Sequence, residues 1–445
     1  MPDSTQLVLE VCDSLKKVSQ QHWNSLDLQR NPFVQYEFLQ ALEETGCLGK
    51  STGWYPCYFL VKKVAAASVA QSVAEADTKP TDDEVSNDKA GSDSSVDGQL
   101  IAACACYIKT NSYGEFVFDW AWADAYERHG QAYYPKLVAA IPFTPATGPR
   151  LLVRDGEDQE LMAQLLKQAI LEYCSEQKMS SMHWLFVTEK QHDQLVGGQV
   201  LSRLDCQYHW HNRNYKNFDE FLAQCTSKRR KTIRRERRYV TDANIRLERR
   251  LGSTLDDAEW ALIYEFYCST FDRKWGNPSL TLEFFKYIGK YFGDNCLIVF
   301  AYSDKPVAIA ASVMFFGEDS LYGRYWGASE DHHCLHFEAC YYQGIEFAIE
   351  RGIRLFEPGA QGEHKITRGF EPTITRSAHW LADPAFGEAV GRYLKQERPM
   401  VMQRQQGLHD MLPFRLDELT SPEPSDSADK SDPEHAVNVD SEADT

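Results

Sequence analysis

Ser320 to Pro372 reads SLYGRYWGASEDHHCLHFEACYYQGIEFAIERGIRLFEPGAQGEHKITRGFEP, and the order of its parts decides the fold. SLYGRYWGA is rich in aromatic residues and reads as a strand. Leu335, Ala339, Tyr342, Ile345 and Ile349 then recur at helical spacing, and Gly352 stands where a helix closes in a left-handed residue. IRLFE, ending at Glu357, is a second short strand. A helix thus crosses between two neighbouring strands. Phe356 to Pro372 is different material. Glu363, His364, Lys365 and Arg368 stand within six residues, punctuated by Gly359, Gly362 and Gly369. An ordinary surface loop has no need of acid, base and cation side by side.

Working outward, helices are expected near Asp256–Phe271 and Leu282–Phe292, then strands at NCLIVFAYS and PVAIAASVMFFG. The turns Asp304-Lys305 and Gly317-Glu318-Asp319 are short and polar, as antiparallel hairpins require. The first half repeats the order faintly. A helix at VQYEFLQALEETG precedes strands at PCYFLVKK, LIAACACYIK and EFVFDW; a strand near RLLV, a helix at Leu161–Glu176 and a strand at MHWLFV follow. The pattern predicts a duplicated α/β (α+β) unit: two lobes, each a mostly antiparallel mixed sheet flanked by helices. The first lobe is placed at 1–215, with a disordered acidic insertion at 65–99, and the second at 216–415. Residues 416–445 form a disordered acidic tail. Both acidic segments are too poor in large apolar residues to offset their ordering entropy.

The net charge is −18, with 43% hydrophobic and 12% aromatic residues. Eight acids and two bases lie between Glu75 and Asp97, and ten acids and one lysine lie from Asp417 onward. The rest of the chain is nearly neutral, so overall charge identifies no partner. No secretory signal or membrane-length apolar run is visible, and the 12 cysteines form no C-x-x-C pair. The expected location is cytoplasmic, with reduced thiols and no metal.

The runs NSYGEFVFDWAWADAY, YYPKLVAAIPFTPATGPRLL, LYGRYWG, LHFEACYYQGI and FEPGAQGEHKITRGFEP resemble the FemAB-like predicted N-acyltransferase family, over Asn31 to Phe414. The resemblance implies two lobes of the GNAT acyltransferase type and transfer of an acyl or aminoacyl group to an amine. Members carry a histidine where this chain has Asn111. GNAT enzymes hold coenzyme A pyrophosphate in a Q/R-x-x-G-x-G/A turn. The corresponding Arg324-Tyr325-Trp326-Gly327-Ala328-Ser329 matches at the arginine and first glycine but ends in serine. Acyl-CoA is therefore one donor candidate. Aminoacyl-tRNA, used by relatives that extend peptidoglycan bridges, is the other.

Acyl transfer to an amine needs a proton acceptor, a polarised carbonyl and an in-line approach. Glu363, His364 and Lys365 are the candidate catalytic residues. Arg324, Glu338, Glu357, Gln361 and Arg368 are candidates for substrate binding. KRRKTIRRERR, Lys228 to Arg238, holds eight cations and one acid. Lys228, Arg229, Arg230 and Arg234 are candidates for binding the phosphates of tRNA or a nucleotide-linked precursor. The alternative is a non-catalytic protein that recognises an anionic cell-wall or nucleotide-linked precursor. His209 and His211 alternate with Tyr208 and Trp210, which predicts one pair in the core and the other in a groove.

Overall fold

The computed structural model describes residues 5–65, 98–272, 277–360 and 362–415. The acidic insertion and tail fall outside these residues, apart from the strand ends at Ala65 and Gln99 and the adjoining Gly98. Thirteen strands form one sheet. In chain order they are β1 Thr5–Cys12, β2 Trp54–Ala65, β3 Gln99–Lys109, β4 Lys136–Ala139, β5 Leu152–Val153, β6 Ser181–Val187 and β7 Leu201–His211. β8 Arg246–Leu251, β9 Cys296–Tyr302, β10 Ala310–Phe316, β11 Ser320–Ala328, β12 Leu355–Glu357 and β13 Glu371–Leu381 complete the set. Their order across the sheet is β1-β2-β3-β4-β6-β13-β7-β12-β11-β10-β9-β8, with β5 paired to β3.

Only β4–β6 and β11–β12 pair in parallel among the described strands. Each of these pairs is joined through a helix: Gln159–Glu176 in the first half, and in the second a helix that runs from Leu335 through a π-turn at Glu338–Tyr342 to Arg351. The duplicated unit read from the sequence is thus present in both halves, as a mixed, mostly antiparallel sheet flanked by helices. The halves also exchange strands. β13, from the end of the chain, enters the first half's sheet between β6 and β7, while the upper end of β7 pairs with β12 of the second half.

Alternation along the second-half strands divides the core. Met314, Phe316, Leu321 and Phe356 face the crossover helix, whereas Val313, Phe315 and Tyr322 face the other way, into a core shared with the first half. There Phe33 of the first half stacks edge-on against Phe315 and Tyr322 at 5.6 and 4.9 Å. The outermost strand β8, RLERRL, carries charges that discourage pairing with another chain.

Two expectations fail for identifiable reasons. EFVFDW is not a strand. It alternates as a strand would, but Glu115, Val117 and Asp119 point inward while Phe116, Phe118 and Trp120 point out, and Phe116 adopts a left-handed φ of 62°. Arg324 to Ala328 is not a phosphate-binding turn. These residues lie inside β11, paired with β10 from Ala328↔Ala310 to Tyr325↔Val313. Gly327 is a packing glycine: a Cβ there would lie 1.9 Å from the Phe266 carbonyl oxygen of the Asp257–Asp272 helix. Gly327→Ala is therefore expected to destabilise the fold by about 3 kcal/mol, since backbone has to move. Gly387→Ala, with nothing within 4 Å of its Cβ, is the control. Urea denaturation of both variants checks this; equal midpoints would refute it.

Candidate functional site

The polar side chains singled out in the sequence are distributed over two faces of the sheet. Glu357 ends β12 and, by strand alternation, shares with Tyr322 and Arg324 the face turned toward the first half. The first-half loop Ala140 to Gly148, with Pro142 and Pro145 in it, lies against them. Arg324 donates from Nη2 to the Phe143 carbonyl at 2.5 Å, and the Thr147 N–H donates to Glu357 Oε2 at 3.2 Å. Phe143 has a left-handed φ of 58°, a costly conformation for a bulky residue. It is held there by that arginine and by its own N–H bonded to the Gly114 carbonyl at 3.1 Å. Beneath the loop, buried Arg150 donates to the carbonyls of Ala146, Pro149 and Leu185 at 2.8–3.0 Å and fixes its course.

Two atoms at this seam are buried without a hydrogen-bond partner: Glu357 Oε1 and Arg324 Nε. Such atoms are rare in native proteins and need an explanation. Burial pushes the Glu357 carboxyl up to about 8, against the opposing pull of the Thr147 N–H, Arg150 and Arg324. His209, which sequence reasoning put in an aromatic core or groove, is the neighbour that was missed. Tyr208, His209 and Trp210 are all buried, because β7 is covered on both faces, and His209 Nε2 lies 3.9 Å from Glu357 Oε2. Desolvation, with repulsion from His211 and Lys365, holds the imidazole down at about 3, so it is neutral.

The loop after β12 is a 3-10 turn, Glu363–Arg368, and each of its charged groups has a different destination. Glu363 points to solvent and pairs with Arg404 of the C-terminal helix at 3.0 Å. His364 Nε2 meets the Tyr341 hydroxyl at 2.9 Å, and burial with repulsion from Arg368 and Lys365 lowers its pKa. Arg368 is buried over the Phe337 ring at 3.5 Å and makes a two-pronged pair with Glu236, at 3.0 and 2.7 Å. Of the described charged groups in this loop, Lys365 is the one buried without a carboxylate among the described residues. Its Nζ donates to the Gly359 carbonyl at 2.7 Å, and desolvation lowers it to about 7. Gln361 lies outside the described residues.

Glu338 does not join Glu357 and Arg324. It sits on the π-turn, on the opposite face of the sheet, buried and held by Arg237 at 3.0 Å through both nitrogens. Arg237 and Glu236 thus dock the cationic helix Ser227–Asp242 onto the second half with two reciprocal arginine–glutamate pairs. Of the four cations assigned to phosphate binding, Arg230 is directed at the carbonyls of Leu222, Ala223 and Cys225 at 3.4–3.5 Å, and Arg234 pairs with Asp219 at 3.0 Å. Ile233 and Val240 are buried, so Lys228, Lys231, Arg235 and Arg238 fall on the outer face at helical spacing. The side chains of these four are exposed and make no ion pair or hydrogen bond with the described residues.

The Glu357 carboxyl holds its proton more tightly in the native than in the unfolded chain, between the ordinary value of 4.5 and about 8. Its contribution to stability is therefore full below 4.5 and is lost as pH rises through about 8. Glu357→Gln removes this dependence. Denaturation at about pH 5 and about pH 9 should show the wild type losing more stability than the variant across that interval; parallel losses would contradict the assignment.

No curated protein matches the chain. Among solved structures, FemX aligns at 9% identity and a TM-score of 0.47, covering 86% of this chain and 100% of that one. A tandem GNAT protein from the clavulanic acid biosynthesis pathway aligns at 9% identity and a TM-score of 0.38, covering 85% and 98%. L-PGS from Bacillus licheniformis aligns at 9% identity and a TM-score of 0.41, covering 66% and 86%. The FemAB-like family model, described as peptidoglycan biosynthesis/recognition, matches residues 14–77 and 91–416, and the chain belongs to that family.

Proposed function

We propose that the protein is an N-acyltransferase that moves an acyl or aminoacyl group from an activated donor to an amine of a peptidoglycan precursor. The carrying observation is Lys365: a buried amine with no carboxylate partner among the described residues, on a loop that follows a Glu357 oxygen likewise without a partner among them. A neutral Lys365 accepts the proton that the acceptor nitrogen loses as it attacks the donor's carbonyl carbon. The donor's ester or thioester bond breaks, and the same lysine returns the proton to the leaving group. Arg324 and the protonated Glu357 supply hydrogen-bond donors not engaged within the fold. His364 and Glu363 stand at the rim, held by Tyr341 and Arg404, and are assigned to substrate contact.

Charged RNA is favoured as donor over acyl-CoA. Arg324 to Ala328 are strand residues, which argues against a pyrophosphate cradle there, whereas the outer face of Ser227–Asp242 offers a phosphate backbone four cations that pair with none of the described residues. All 12 cysteines are free thiols, and no helix among the described residues is long and apolar enough to cross a membrane. Both fit the proposed cytoplasmic location.

Lys365→Met should lower the rate of label transfer from charged tRNA to a nucleotide-linked precursor by about 10²–10⁴-fold. Its melting temperature should be unchanged or raised, because the variant no longer desolvates an amine. Wild-type rate should rise with pH through about 7, the value to which Lys365 is lowered. Full activity in the variant would sink the reading, and precursor binding without transfer would favour recognition over catalysis.

A further inference from the structure

The two ends of the sheet are built differently. β8 closes one end with Arg246, Glu248, Arg249 and Arg250 among its six residues. Charge of that density on an edge strand opposes pairing with a further strand. β1 closes the other end with TQLVLEVC, which holds one acid and neither proline, lysine nor arginine. It pairs with β2 in unbroken register from Thr5↔Ala65 to Cys12↔Tyr58, without a bulge to turn it away. Glu10 is taken up by Lys62 of β2 at 2.6 Å. Among the described residues no strand lies along the other edge of β1. The backbone N–H and C=O groups on that edge are left to solvent or to another chain.

Alternation divides the side chains of β1. Cys12 lies on the face of Tyr58 and Leu60, in the core shared by the two halves. Leu7, Leu9 and Val11 lie on the opposite face, level with Lys63, Val61 and Phe59 of β2. Val61 and Phe59 are buried in the core of the first half, where Phe59 meets Tyr173 of the helix Gln159–Glu176 edge-on at 5.2 Å. Leu7, Leu9 and Val11 are 44%, 45% and 38% exposed. The apolar layer therefore runs out to the last strand and ends there uncovered. An occupant of this edge has to bring a strand with three large apolar residues at alternate positions. Neither acidic segment supplies one: between residues 66 and 97, and from 416 onward, no three large apolar residues alternate. β1 of a second copy supplies all three.

We propose that the open edge of β1 pairs antiparallel with β1 of a second copy of this chain and joins two sheets into one. The two-fold axis of such a pair is normal to the sheet and keeps every residue on its own face, so it passes through a residue and not between two. An axis at Glu10 sets two carboxylates opposite each other. An axis at Val8 leaves Val11 against Thr5, and one at Leu7 leaves Val11 beyond the end of the strand. An axis at Leu9 sets Leu9 against Leu9, Leu7 against Val11 on both sides, and Glu10 against Val8. Every side chain of the exposed row is then matched and no like charges meet. The antiparallel arrangement also sends the two acidic insertions, which leave each sheet at Ala65 beside Thr5, to opposite ends of the joint.

The test is sedimentation equilibrium of the full chain at micromolar concentration. The wild type should be a dimer. Leu9→Lys places two cations against each other on the axis and should raise the dimer dissociation constant by at least about tenfold, with an unchanged far-UV circular dichroism spectrum. Leu9→Cys, oxidised with diamide against the wild type as background, should give a disulfide-linked dimer, because opposed residues of antiparallel strands lie roughly 4.5–5.5 Å apart. Val11→Cys should not, because its two copies stand roughly 14 Å apart along the joint. A monomeric wild type, a Leu9→Lys dimer as tight as the wild type, or equal cross-linking of the two cysteine variants would each overturn the proposal. A monomeric wild type that dimerises once residues 66–97 are deleted would instead make the chain's own insertion the occupant of the edge.

Discussion

The exchange of strands between the halves is the constraint from which the rest follows. β13 pairs with β6 and β7 of the first half over eleven residues, and β7 pairs in turn with β12. Neither half can complete its sheet alone. The seam between them is therefore set by backbone hydrogen bonds, and the shared core around Phe33, Phe315 and Tyr322 fills the space that remains. A loop from one half can then hold a strained residue such as Phe143 against an arginine of the other. Two lobes that merely touched would relax, whereas a continuous sheet keeps the register.

That rigidity explains the tolerance of ionisable groups at depth. Carboxylates and amines are buried only where something compensates them or where function demands otherwise. Glu338, Arg237, Glu236 and Arg368 are compensated in pairs: Arg237 fastens the cationic helix to the crossover helix at Glu338, and Glu236 fastens it to the loop carrying Lys365 at Arg368. The cationic helix is thereby connected to the loop through Glu236 and Arg368, a contiguous physical link.

Much of this was legible in the sequence. Helical spacing from Leu335 to Ile349 and the runs around Cys296, Ala310 and Ser320 name the second-half elements, because each buries a face with its own periodicity. The helix that crosses between two neighbouring strands follows from their order, and the structure shows that those strands are parallel. The misreadings have one cause. Alternation and motif spacing describe one segment, while the outcome depends on what another segment brings. EFVFDW has the period of a strand, but Lys136, sixteen residues beyond its end, supplies a partner that inverts its polarity. Gly327 fits a phosphate-binding pattern, yet the Phe266 carbonyl occupies its flank. His209 looked like half of an alternating pair, and only the exchanged strands show that both faces of β7 are covered. In the loop at Gly359 to Gly369 the sequence marks an unusual density of charge, but nothing local says that Glu363 turns out while Lys365 turns in.

Two buried lysines, one in each half, have contrasting surroundings. Lys109 in the first half is lowered to about 7 by burial, as Lys365 is in the second. Lys109 lies 3.9 Å over the Trp54 ring, and its charge is supported by Glu115 and Asp119. Beside it, all three protons of Lys136 are engaged with Ser112, Glu115 and Asp119, so that cluster is closed on itself. Among the described residues Lys365 has one backbone carbonyl as a partner and no carboxylate, and the thiol of Cys340 beside it is itself pushed up to about 12 by burial and so carries no charge. A fold gains nothing from a desolvated amine left in that condition, and a methionine of similar length would pack there without the penalty. The difference between the two lysines is therefore one of closure: the Lys109 and Lys136 cluster satisfies itself, whereas Lys365, on the loop that follows a carboxyl held protonated, is left with a single backbone carbonyl among the described residues.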